Sequence, residues 1–235
     1  MKGGVGKTAG AVNLAHAAAL AGQRVLLWDL DPQAASTFYF RLRSDRGGAR
    51  KLLAGNLDLN AFIKASDYPN LDLLPARFSF RKADAALAHT KAPDKRFRRL
   101  LKSFDSFYDI LIFDCAPGLS TMSECVLAAS DAVLIPTIPS TLSIRTLQLL
   151  RDHFGVTERP RMLPFFSMVD ARRRLHREIV ANPSELAYPP MLNSIPYASQ
   201  VELMGLRRAP VAEFARSSAA SRAFAALWSE LVACI

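Results

Sequence analysis

Two lysines, Lys2 and Lys7, bracket the glycine-rich opening Met1-Lys2-Gly3-Gly4-Val5-Gly6-Lys7-Thr8. Gly6-Lys7-Thr8 matches the end of the phosphate-binding pattern G-x-x-x-x-G-K-[ST], although Met1 stands where that pattern has its first glycine. The chemistry is that of a polyphosphate cradle. Glycines let the backbone of Gly3, Gly4, Val5 and Gly6 curl so that successive N–H groups face phosphate oxygens. Lys7 supplies positive charge to the β- and γ-phosphates, and the Thr8 hydroxyl is a ligand for Mg²⁺. Ala9 has no side-chain donor but keeps a backbone N–H for the same anion. The ligand implied is ATP with Mg²⁺.

Acids stand where such a site needs them. Val25–Asp29 is a short apolar run that continues into Asp29-Leu30-Asp31-Pro32-Gln33, and Ile110-Leu111-Ile112-Phe113 is followed by Asp114. Carboxylates at the C-terminal ends of parallel strands lie on the ligand-binding edge of a sheet. Four apolar residues and an acid make the Walker B form, so Asp114 is expected in the Mg²⁺ shell.

The elements that must carry these residues follow from periodicity. Helices are expected over Thr8–Ala21 with Gly22 as its stop, Ser79–His89, Asp94–Phe104, Met122–Ala129, Leu142–His153 and Ser218–Val232, the last with Phe224, Leu227, Trp228 and Leu231 on one face. Strands are expected over Val25–Asp29, Leu71–Pro75, Ile110–Asp114, Asp131–Pro136, Met162–Val169 and, last, Met191–Pro196. Residues 36–66 read as a helical insertion with a basic, solvated face. There is no repeat and no linker. The expectation is one domain over residues 1–235: an α/β fold with a doubly wound, mostly parallel sheet flanked by helices. Because the sequence opens on the loop itself, the strand that ordinarily leads into such a loop is expected to be missing.

Composition narrows the class. Half of the 235 residues are hydrophobic, yet no apolar run has the length of a membrane span. No charged-then-apolar leader is visible, so the expected place is the cytoplasm. Cys115, Cys125 and Cys234 form no metal-ligand pair, and His176 reads as a surface residue. The net charge of +9 points to a polyanionic partner, nucleic acid or anionic membrane.

Taken together, K-G-G-V-G-K-T, D-L-D-P-Q, I-L-I-F-D-C-A-P-G and D-A-V-L-I-P-T, in that order, resemble the ParA/MinD family of deviant Walker A ATPases, and most closely its short ParA-type members. The resemblance implies a P-loop ATPase that forms an ATP-dependent homodimer, with Lys2 reaching the partner's nucleotide and Lys7 and Asp31 completing the catalytic set. It implies that Asp31 orients the attacking water near Mg²⁺, so that Thr8, Asp31 and Asp114 form the metal side. It places backbone around Ile195 and Pro196 at the adenine base. It also implies non-specific DNA binding, for which Arg172, Arg173, Arg174, Arg177, Arg207 and Arg208 are the candidates, a nucleoid-associated location, and a ParB-like or other activating adaptor. Cys115-Ala116-Pro117-Gly118 departs from the family's second switch at Ala116, Ala9 replaces a threonine, and Gln200 stands where the family has an arginine. Two other readings compete. A MinD-like membrane cycle would need a basic amphipathic end, but no basic residue follows Arg222, so no stable membrane association is expected. A nucleotide-binding scaffold without hydrolysis is the other. A nitrogenase-reductase-like role lacks suitably placed cysteines.

Overall fold

The structure is a computed structural model that describes residues 4–43, 59–76, 91–118, 120–155 and 159–235. Lys2 and Gly3, the helix expected over 79–89, and Arg46, Arg50 and Lys51 of the basic insertion lie outside those residues.

Helix α1 (Lys7–Leu20) leads to strand β1 (Val25–Asp29), which is buried at every position. Its side chains alternate between two cores. Val25 and Leu27 pack with Val12, Leu14 and Ala15 of α1 and with Phe224, Leu227 and Leu231 of the C-terminal helix. Leu26 and Trp28 face the opposite layer, with Phe97, Phe104 and Met122. A strand alternates sides residue by residue, so one five-residue run is apolar throughout because it serves helices on both faces. This is the doubly wound arrangement expected from the sequence.

Strands β2 (Lys64–Ala65), β3 (Leu71–Leu74) and β4 (Ile110–Asp114) join β1 in the order β2-β3-β1-β4. β1 pairs in parallel with β3 and β4, and only the short edge strand β2 is antiparallel. Strands β5 (Ala132–Thr137) and β6 (Arg161–Phe166) form a separate parallel pair. Among the described residues β4 and β5 are not hydrogen-bonded to each other, and both are only half-buried over most of their length. Helix α1 packs across both parts.

The remaining helices are α2 (Ala35–Tyr39), α3 (Pro93–Leu101), α4 (Thr121–Ala129), α5 (Thr141–Phe154), α6 (Arg174–Ala181), α7 (Ser199–Arg207), α8 (Val211–Phe214) and α9 (Ala219–Cys234). Helix α9 begins at Ser218, whose hydroxyl accepts the Ser221 N–H, and its Phe224–Trp228–Leu231 face is buried as expected.

Three expectations are corrected. Met191–Pro196 is not a strand. Its N–H groups at Met191 and Ile195 reach β6, but those of Leu192 and Asn193 are taken by the Glu230 carboxylate at 2.6 and 2.9 Å. With Pro164 in the facing strand, the ladder cannot run through, and a single bridge from Val169 to Pro196 remains. β2 was not foreseen; within the stretch read as helical, only α2 and one 3₁₀ turn at Leu59–Phe62 are helical among the described residues. His176 is buried, not superficial: its Nδ1 accepts the Asp170 N–H at 3.1 Å and closes the turn before α6.

Candidate nucleotide site

The glycine loop ends in a helix start built for an anion. Gly6 caps α1 with φ +95°, and no side chain satisfies the first-turn N–H groups. Those donors point along the helix axis out of the loop, where a phosphate would be bound. Glycine is required at position 6 for two reasons. The backbone is left-handed there, and a β-carbon would lie 2.8 Å from the Ser167 hydroxyl. Ser167 follows β6, so the loop is seated against that half of the sheet.

On the other half, Asp114 ends β4 and is 2% exposed. It accepts the Ser36 hydroxyl at 2.7 Å and hydrogen-bonds with the Thr8 hydroxyl. Burial raises its pKa, against the opposing effect of these two donors and of Lys7 nearby. The acid is thus tied both to the loop, through Thr8, and to α2, through Ser36. Asp31 lies close enough for its charge to act on Asp114 and Cys115. It is half-buried, and its carboxylate accepts the Gln33 N–H at 2.9 Å. Four residues expected from the sequence (Lys7, Thr8, Asp31 and Asp114) are therefore brought together. Gly4, Val5 and Ala9 lie on the same loop and helix start.

The segment holding Ile195 and Pro196 reaches the loop indirectly. The Ile195 N–H donates to the Phe166 carbonyl at 2.8 Å, one residue before the Ser167 that abuts Gly6. The Ile195 side chain is in the core, so only its backbone and the half-exposed Pro196 can face a ligand.

The sequence reading missed the group that holds the first switch in place. Asp29 is fully buried and accepts the Thr37 N–H and hydroxyl at 2.8 and 2.7 Å, as well as the Asp31 N–H at 3.1 Å. The Thr37 oxygen in turn accepts the Ala76 N–H at 2.9 Å. Burial raises the Asp29 pKa to about 6, although these donors pull it down. The available signal was the pair Ser36-Thr37, hydroxyls inside an otherwise apolar helix start a few residues after two acids. Cys115 is a packing residue: burial and the neighbouring acids push its thiol up to about 12, which keeps it unreactive.

The expected basic residues fall in two places. Arg172, Arg173, Arg174 and Arg177 are exposed at the start of α6. Arg172 grips Asp170 at 2.9 and 3.0 Å, and Arg174 pairs with Glu178 at 2.6 Å. Arg177 donates to the carbonyls of Ala171 and Arg172. Arg208 lies instead against α2, with its guanidinium over the Phe38 ring and bonded to the Phe38 carbonyl at 3.0 Å. Arg207, at the end of α7, is exposed beside a separate cavity.

A phosphate loop opening a helix, a buried acid on the neighbouring strand, and carboxylates at the strand ends define a P-loop nucleotide-binding protein. The family model described as an AAA domain matches residues 1–159. The sporulation initiation inhibitor protein Soj of Bacillus subtilis is 32% identical over 190 residues, covering 76% of this chain and 74% of that one. The chromosome-partitioning ATPase Soj of Treponema pallidum is 29% identical over 244 residues, covering 99% and 94%. Among solved structures, cobyrinic acid a,c-diamide synthase from Mycobacterium smegmatis with bound ATP analog and magnesium superposes with a TM-score of 0.82 at 26% identity, over 98% of this chain and 90% of that one. MinD from Pyrococcus horikoshii shares the fold, with a TM-score of 0.77 at 21% identity over 98% and 92%. The chain belongs to the ParA/MinD family of P-loop ATPases.

Proposed function

We propose that this chain is a ParA-type ATPase that uses ATP to form a sandwich dimer, binds DNA without sequence preference, and so positions a cargo. The observation that carries the reading is the bridge Thr8–Asp114–Ser36. One buried carboxylate is bonded to the loop that holds the phosphates and to the helix that follows Asp31. A change at the γ-phosphate is therefore felt directly by the switch. The relatives named as Soj, one of them a chromosome-partitioning ATPase, favour partition as the use of that switch.

The donor set fits Mg²⁺. Thr8 and Asp114 are hard oxygen donors, and the described residues hold no group of three or more His, Cys, Asp or Glu that would make a closed metal cage. A cation held by one or two protein oxygens and otherwise by phosphate and water is the Mg²⁺ pattern. Bound there, the ion would neutralise charge on the β- and γ-phosphates. Lys7 adds charge at the same oxygens, and Asp31, whose charge acts on Asp114, orients the water. Lys2 is assigned to the partner's nucleotide by resemblance.

The arginines at the start of α6 are the proposed DNA surface. Arg173 has no acidic partner among the described residues, and Arg172 and Arg174 are exposed even while paired. Arg208 serves its contact with α2, so Arg207 and Arg208 contribute less to this surface. The location follows from it: on the nucleoid, with an activating adaptor of ParB type. No described helix is long and apolar enough to cross a membrane, and the apolar face of α9 is spent on the core.

Fluorescence anisotropy on a random-sequence duplex, in ATP, ADP and no nucleotide across a salt series, tests the proposal. Tight binding only with ATP, falling steeply with salt, is expected. Equal affinity in all three states would refute the DNA switch, and ATP turnover that survives Lys7→Ala or Asp31→Ala would refute the assigned chemistry.

A further inference from the structure

The molecule also has a cavity away from the phosphate loop. It has a volume of about 790 Å³ and lies beside the last turns of α1, around His16, Arg41, Tyr68, Arg207, Glu213 and Phe214. His16 is nine residues beyond Lys7, which is ~14 Å along a helix. A site of this size holds a small organic molecule.

Its walls are chemically mixed. Tyr68 and Phe214 provide apolar rings, and Tyr68 meets the edge of the His16 imidazole at 4.9 Å between centroids. Buried His16 bonds through Nε2 to Glu213 at 2.9 Å. At the rim Arg41 is 3.6 Å from Asp67 and donates to the Arg207 carbonyl at 3.3 Å. The Arg207 guanidinium has no hydrogen bond or ion pair among the described residues. The acids of the cavity are thus already engaged, Glu213 by His16 and Asp67 by Arg41, and Arg207 is the charge left over. A planar ring carrying an anionic group toward Arg207 and Arg41 matches those walls.

The position of the cavity is as informative as its lining. Helix α1 begins at the phosphate loop and ends here. Arg41 follows α2, whose Ser36 and Thr37 hold Asp114 and Asp29. Arg207 ends α7, which follows the Ile195–Pro196 segment. Helices α1 and α2, whose near ends hold the phosphate loop and its acids, run to this cavity, and α7 runs to it from the segment assigned to the base.

We infer that this cavity is an effector site for a small planar carboxylate or phosphate, coupled to the nucleotide site through α1, α2 and α7. The coupling rests on the nucleotide-site reading above; the site itself does not. Isothermal titration with 4-aminobenzoate and 4-aminophenyl phosphate tests it and tells the two anions apart. At least one should bind saturably, with Arg207→Ala and Arg41→Ala each weakening it at least ~10-fold, because a charge-assisted contact is removed. Lys7→Ala should leave probe binding intact. Arg207 is exposed, so its variant is expected to keep the wild-type melting temperature. No saturable binding of either probe, binding that ignores both arginines, or binding lost with Lys7→Ala overturns the site. Repeating the titration with saturating Mg·ADP should change the probe Kd ~5-fold or more, and the probe should change ADP affinity by the same factor. An unchanged Kd while ADP is bound overturns the coupling alone. Failure of ADP to bind at all counts against the nucleotide reading and leaves the arginine test standing.

Discussion

Thr37→Val changes almost nothing in shape and removes two buried hydrogen bonds at once. The Thr37 hydroxyl donates to Asp29 at 2.7 Å and accepts from the Ala76 N–H at 2.9 Å, with all three residues at most 1% exposed. The bond to the carboxylate is the charged kind, worth about 1.5–3 kcal/mol, and an orphaned buried N–H costs about 1–3 kcal/mol. A loss of about 3–5 kcal/mol is expected at neutral pH. For a chain of this length each kcal/mol moves Tm by about 2–4 °C, so the midpoint should fall by roughly 6 °C or more. The effect should depend on pH with a definite sign. The Asp29 pKa is raised from 3.8 to about 6 in the fold, so its contribution is favourable at low pH and is lost as pH rises through about 6. Removing a donor that favours the ionised form raises that pKa further. The variant should therefore be more damaging at pH 8 than at pH 5. Urea melts of wild type, Thr37→Val and Thr37→Ser at both pH values measure this. Thr37→Ser keeps the hydroxyl and should lose only about 1 kcal/mol for its methyl. A Thr37→Val loss below about 1 kcal/mol, or a Thr37→Ser loss equal to it, would show that the network does not hold the switch.

Ser36→Ala leaves Asp114 with the Thr8 bond and without its 2.7 Å donor from α2. The Mg²⁺ requirement of ATP turnover should rise about 10-fold, as for other outer partners of metal ligands; an unchanged Mg²⁺ titration would remove Ser36 from the site. Gly6→Ala forces a β-carbon to within 2.8 Å of the Ser167 hydroxyl at φ +95°. Nucleotide binding should fall below detection by equilibrium dialysis, and adding Ser167→Gly should not recover it fully, because about 1–2 kcal/mol of left-handed backbone strain remains. Burial lowers the His16 pKa below 6.5 while Glu213 opposes it. A lowered folded pKa contributes stability that is present above 6.5 and lost as pH falls. Glu213→Gln removes the opposition, so its melting temperature should drop more than the wild type's between pH 7.5 and pH 5. Parallel pH profiles would argue against that pairing.

The sheet was readable because its strands are short, apolar runs that end in acids. Val25–Asp29 and Ile110–Asp114 stand at the residues expected, since each strand sends apolar side chains alternately into the cores on its two faces. The segment at Met191–Pro196 looked the same and is not a strand, because Glu230, distant in sequence, captures two of its N–H groups. No local pattern encodes that. In the site, the charged and glycine positions of the loop and strand ends were legible from type and spacing. The hydroxyls of Ser36 and Thr37 were not, because a serine or threonine at a helix start reads equally well as a cap. The difference lies in whether a buried carboxylate is opposite, which only the fold decides. His176 was misread for the same reason: its partner is a backbone N–H brought near by a turn.

The seating of the phosphate loop bears on how the two parts of the sheet hold together. Strands β5 and β6 share a core with β1: Leu134, Leu163 and Phe165 pack with Val25, Leu27 and the buried face of α1. The phosphate loop touches both parts, Ser167 beside Gly6 on one side and Asp114 bonded to Thr8 on the other. It acts as a rivet through two plates. An anion gripping the loop accordingly slows amide exchange in both plates together, far from anything it touches.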